Sequence, residues 1–134
     1  MKASFKITDN IGIQDSYNYF DLHNNFELGK IEIVQNEVII FFEKTNEDWG
    51  KNEIYDILQV SHKNVDFYSL KSFTKSANKI SLSNVSFSPK DNFDIDTIFL
   101  REFPEEGDEI VYSFENESYI RISCSDISLS YFNL

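Results

Sequence analysis

Apolar residues recur at every second position through most of the chain, the period of a strand with one buried face. In residues 27–34, E-L-G-K-I-E-I-V, Ile31 and Ile33 fall on one phase and Glu32 on the other. Gln35-Asn36-Glu37 supplies a tight connection to V-I-I-F-F-E at 38–43, so an antiparallel hairpin is expected. The second arm is apolar on both phases, which marks a central strand covered on both sides. Alternation returns in V-D-F-Y-S-L (65–70), I-D-T-I-F-L-R-E-F (95–103) and E-I-V-Y-S-F-E (109–115). Proline and glycine in P-E-E-G-D-E (104–109) specify a turn, as do residues 115–118, so the last third reads as an antiparallel meander.

Two segments lose phase partway. K-I-S-L-S-N-V-S-F-S (79–88) passes from Ile80 and Leu82 to Val85 and Phe87. Y-I-R-I-S-C-S-D-I-S-L-S-Y (119–131) passes from Ile120, Ile122 and Cys124 to Ile127, Leu129 and Tyr131. Each predicts a β-bulge or a one-residue kink. At the second, Ser125–Asp126 is the joint, Cys124 closes an inward row and Asp126 faces solvent.

The remaining segments are less regular. T-N-E-D-W-G-K-N (45–52) is a loop that holds Trp49. E-I-Y-D-I-L-Q-V (53–60) fits a strand or, through Ile54, Ile57 and Leu58, a helix face. Residues 72–79 suit a short helix, an irregular crossing segment or a loop, and residues 11–28 a turn plus a short helix. The sum is a mainly β single domain, 1–134: an antiparallel β-sandwich or partly open barrel of short strands, with one or two short helices. An α+β domain is the alternative. The expected core is Ile31, Ile33, Val38, Ile40, Phe42, Leu82, Val85, Phe99, Val111, Phe114, Ile120, Ile122 and Leu129.

Charge narrows the function. Twenty-three acids against 12 bases give a net charge of -11, which disfavours nucleic acid and anionic membranes and suits a basic protein partner. Residues 71–89 hold three lysines and no acid, whereas residues 91–134 hold eleven acids against Arg101 and Arg121. The acidic face is therefore expected in the last third, at Asp91, Asp94, Asp96, Glu105, Glu106, Asp108 and Asp126. Trp49 is the candidate aromatic anchor. The longest apolar run, residues 38–42, is too short to span a membrane. The first ten residues lack the apolar block of a secretory signal, and Cys124 has no partner for an internal disulfide, so a cytoplasmic protein is expected.

Chemistry is sparse. Asp91, Asp94 and Asp96 offer oxygens for a hard cation, but the EF-hand spacing and its glycine are missing. His23 and His62 have no zinc spacing, although Asp21 and His23 are placed to share a strand face. Cys124 lacks a nearby base and reads as a core residue. No phosphate loop or nucleophile elbow occurs, so neither catalysis nor a cofactor is expected. Tyr17, Tyr19, Phe20, Trp49 and Tyr55 are candidates for a stacking platform, the mark of a carbohydrate-binding or adhesion module.

The acidic chain, the strand pair F-E-L-G-K-I-E-I-V-Q-N-E-V-I-I-F-F at 26–42 and the S-L-S-N-V-S and I-S-L-S segments resemble small acidic bacterial immunity proteins. The resemblance implies a non-catalytic protein that binds and neutralises a cognate toxin of the same cell. Those proteins differ among themselves in fold, so no residue role is carried over. A homo-oligomer that buries exposed strand edges is the third reading.

Overall fold

The computed structural model describes residues 1–71, 79–92, 94 and 97–134. Among them the strands run β1 (Lys2–Ala3), β2 (Lys6–Thr8), β3 (Gly12–Gln14), β4 (Tyr19–Asp21), β5 (Phe26–Val34) and β6 (Glu37–Lys44). They continue as β7 (Ile57–Lys63), β8 (Phe67–Lys71), β9 (Leu82–Pro89), β10 (Asp108–Phe114), β11 (Tyr119–Ser123) and β12 (Asp126–Phe132). One 3-10 turn, Asp48–Gly50, is the helical content among the described residues, so the α+β alternative falls.

Val38, Ile40 and Phe42 lie on one side of β6 and are fully buried, as their alternation requires. β6 pairs with β5 and β7 inside a five-stranded sheet ordered β1-β12-β7-β6-β5. A four-stranded sheet, β8-β11-β10-β9, supplies Val85, Phe87, Ile110, Tyr112, Ile120 and Ile122 to the same core. The third sheet, β2-β3-β4, adds Ile7, Ile13 and Phe20. Phe20 stacks against Phe26, Tyr55 and Tyr131 and so ties this small sheet to the large one. The result is a sandwich-like arrangement of three sheets with no closed barrel.

Both phase breaks have a structural cause. In β9 the register against β10 slips beside Ser83, a bulge that turns Leu82, Val85 and Phe87 all inward. The later break is not a bulge. β11 ends in the four-stranded sheet and β12 begins in the five-stranded one, so inward means opposite faces of the chain on either side of Ser125. Cys124 and Ile127 are both buried, and Asp126 is exposed.

Several expectations are corrected. The meander of the last third stops at β11, because β12 leaves for the other sheet beside β7. Described residues 97–103 form no strand. Their segment is held by two backbone carbonyls, Phe99 accepting from the Asn10 side chain and Glu102 from the Ile7 N–H. Ile98, Leu100 and Phe103 are left exposed there, and Phe99 is half-buried under Arg101. Residues 11–28 hold β3, β4 and a turn rather than a helix, because the Asp21 carboxylate accepts from the His23 and Asn24 N–H groups. Residues 57–63 are a strand, which ends the helical alternative. Ile33 is 42% exposed, since β5 is an edge strand and its end has a neighbour on one side only. Ile31 and Leu129 pack partly buried against the core. The outer face of β6 is only half covered, with the Lys30 ammonium 4.7 Å from the Phe41 ring centre. Residues 72–78 lie outside the described residues.

Candidate functional site

The acidic residues of the last third divide. Asp91, Glu105 and Glu106 line one shallow hollow, but Lys90 and Arg101 line it too. Asp108 is buried rather than presented. It accepts from Arg101 Nη1 at 2.6 Å and from the Glu105 N–H at 2.8 Å, so it braces the turn before β10. Asp94 is exposed and accepts from the Thr97 hydroxyl. Asp96 lies outside the described residues. Asp126 stands opposite Lys2 on one neighbouring strand and Lys63 on the other. Bases thus interleave this group, and no set of three or more metal-binding side chains converges among the described residues.

Acids and exposed apolar side chains coincide at the other end of the sandwich, on the loop from β6 to β7. Residues 43–56 hold five acids against Lys44 and Lys51, and Lys44 is committed to Asp56 at 3.3 Å. Trp49 is 60% exposed and Ile54 is 70% exposed. The base of the loop is firmly built. The Thr45 N–H donates to the Asn25 carbonyl, the Lys44 N–H to the Asp56 carbonyl, and the Asn25 amide to Glu53 at 2.8 Å. The Thr45 hydroxyl donates to Glu27. A Cβ on Gly50 would come within 2.6 Å of the Thr45 methyl, so the 3-10 turn lies flat on Thr45 only with glycine there.

Tyr19 stands beside this loop. Its ring crosses Gly12, where a Cβ would meet it at 2.5 Å. Partial burial, followed by the carboxylates of Asp21, Asp9 and Glu53, pushes the Tyr19 phenol above its ordinary range. Of the proposed aromatic platform, Phe20 is core and Tyr55 packs on Tyr131, which leaves Tyr17, Tyr19 and Trp49 exposed.

Two buried polar pairs were not anticipated. On the outer face of the four-stranded sheet, Arg121 forms an ion pair with Glu109 and donates to the Asn92 carbonyl at 3.0 Å. Burial pushes the Glu109 carboxyl up, and the Arg121 guanidinium only partly opposes it. The pair floors a hollow of about 330 Å³ whose walls include Phe67, Tyr119, Lys90 and Asp66. Between the sheets, His62 is fully buried, donates from Nδ1 to the Val38 carbonyl at 2.8 Å and accepts the Tyr112 hydroxyl at Nε2 at 2.8 Å. Desolvation lowers the His62 pKa from 6.5 to about 4, so the ring is neutral at pH 7.

The two remaining candidates, His23 and Cys124, are both engaged by the fold. The His23 ring bonds the Leu82 carbonyl, with Glu115 3.8 Å away, while Asp21 serves the backbone and not the imidazole. Cys124 sits in the core, and burial raises its thiol to about 11. Labelling with a maleimide at pH 7 is expected to leave Cys124 unmodified in the folded protein and to proceed readily in denaturant. Rapid labelling of the native chain would contradict its placement.

No family model, curated protein or solved structure matches the chain.

Proposed function

We propose that the protein is a non-catalytic binding module whose acidic end captures a basic protein. The observation that carries this reading is the β6–β7 loop, which holds Trp49 and Ile54 out to solvent on a braced base beside the exposed Glu47 and Asp48 carboxylates. Exposed tryptophan is uncommon on surfaces without a partner and is over-represented among residues that dominate binding energy. Carboxylates around it steer a cationic surface toward the site and raise the on-rate. A toxin that attacks nucleic acid carries such a cationic surface, because its substrate is a polyanion. Neutralisation of a toxin in the cytoplasm, as an immunity protein does, is the specific form of the proposal. It rests on this charge pattern and on the overall resemblance noted in the sequence.

Trp49 is the anchor of this surface, and Glu47, Asp48, Glu53 and Asp21 are its steering charges. The test is kinetic. A partner captured from the source cell with the wild-type protein should associate faster at low salt, with an on-rate that falls by about tenfold or more between about 50 and 500 mM salt. A salt-insensitive on-rate, or a partner of acidic composition, would sink the proposal. A carbohydrate module is the less favoured reading, because Phe20 and Tyr55 are taken up by packing and do not extend the aromatic surface.

A further inference from the structure

The sheet edges are protected unequally. In the four-stranded sheet, β9 carries a bulge, ends in Pro89 and is bonded at Val85 by both the backbone and the side chain of Asn10. In the five-stranded sheet, β5 has a register shift at Leu28–Lys30 and an outward Lys30–Glu32 ion pair, and β1 is only two residues long. These are the devices by which folded proteins discourage strand addition. β8, Phe67–Lys71, has none of them. Among the described residues it pairs with β11 alone; it has no proline or bulge and carries one charge, at Lys71. Phe67, Tyr68 and Leu70 are all exposed, on both faces of the strand.

We infer that β8 is a self-association edge, at which two copies of this chain join their four-stranded sheets into one of eight strands. A two-fold axis normal to the sheet keeps each face continuous and, centred on Ser69, sets Tyr68 against Leu70 of the second copy. On the opposite face it sets Phe67 against Lys71, a cation over an aromatic ring, and Ser69 against itself. Aromatic–aliphatic and cation–π pairs of this kind stabilise antiparallel neighbours. Charge selects a second copy over a basic partner. On a chain of net charge -11, β8 bears a single positive charge and no acid, so it neither attracts a cationic protein nor repels its own copy. Five residues bury less than the roughly 800 Å² per partner of a standard interface, so the dimer is a reversible, concentration-dependent one.

Sedimentation equilibrium over about two decades of protein concentration tests this. The wild type is expected to pass from monomer to dimer, and added salt to tighten the dimer by screening the two net charges, opposite to its effect on capture of a basic protein. Leu70→Lys, at an exposed position, should weaken the dimer by about tenfold or more. Ser69→Cys should give a covalent dimer on mild oxidation, with peptide mapping locating the disulfide between the two substituted positions. A wild type that stays monomeric, a dimer indifferent to Leu70→Lys, or an oxidised Ser69→Cys protein with no such link would overturn the inference.

Discussion

Arg121→Ala is expected to destabilise the fold by about 3 kcal/mol, because it leaves the buried Glu109 carboxylate at the floor of the hollow without its counter-charge. The wild-type arrangement already shows the imbalance. Burial holds the Glu109 pKa above its ordinary value even with the guanidinium in contact. Without Arg121 the carboxyl takes up a proton more readily still, so the variant should be relatively most stable at low pH and lose stability as pH rises through the raised pKa. The double variant Arg121→Met/Glu109→Met should recover most of the loss, since it removes both charges and keeps the volume. Urea denaturation of the three proteins at pH 7 measures this. Equal losses in the single and double variants would mean that packing, and not the unpaired charge, is the cause.

Lowering the pH from 7 to 4 should cost on the order of 3 kcal/mol through His62 alone, from a pKa of 6.5 in the unfolded chain and about 4 in the fold. The folded state refuses a proton that the unfolded state accepts. This stability is therefore fully present above pH 6.5 and is lost progressively as pH falls toward 4. The carboxylates held below their usual range at Asp15, Asp56 and Asp66 act in a lower window, beneath their unfolded pKa values. Tyr112→Phe removes the hydroxyl that satisfies His62 Nε2 and should cost about 1–3 kcal/mol at pH 7. Denaturation profiles from pH 7 to 4 for the wild type and His62→Phe separate the effects. The variant should lose the slope between pH 6.5 and 4, and an unchanged slope would place the titration elsewhere.

How much of this the sequence carried depends on the range of the interaction. The β5–β6 hairpin was legible because alternation and a tight connection are local signals, although Glu37, read as part of that connection, is the first residue of β6. The break at Ser125–Asp126 was visible, but a bulge and a change of sheet leave the same one-residue shift, and only the partners of β11 and β12 distinguish them. The stretch at 95–103 had the alternation of a strand and failed to become one. Its backbone bonds go to Asn10 and Ile7, far away in the chain, and not to a neighbouring ladder. Arg121 and Glu109 were within reach, since the turn at 115–118 sets Val111 opposite Arg121 and makes Glu109 its diagonal neighbour. His62 and Tyr112 were not, because 50 residues and two sheets separate them. Counting acids along the last third pointed to Asp91–Asp126, whereas folding pairs Glu105 and Asp108 of that group with Arg101. The same folding gathers Asp9, Asp21 and Glu53 around Tyr19, from three segments that no linear count combines.

The claim that the Trp49 end is the binding surface is tested most directly by the affinity of two variants for the captured basic protein. Trp49→Ala should weaken binding by about 2 kcal/mol or more, roughly thirtyfold, with the fold intact because the side chain is exposed. The triple variant Asp91→Asn/Glu105→Gln/Glu106→Gln, at the opposite end, should bind within about threefold of the wild type. Full affinity in Trp49→Ala together with loss in the triple variant would contradict the account and return the site to the acids of the last third.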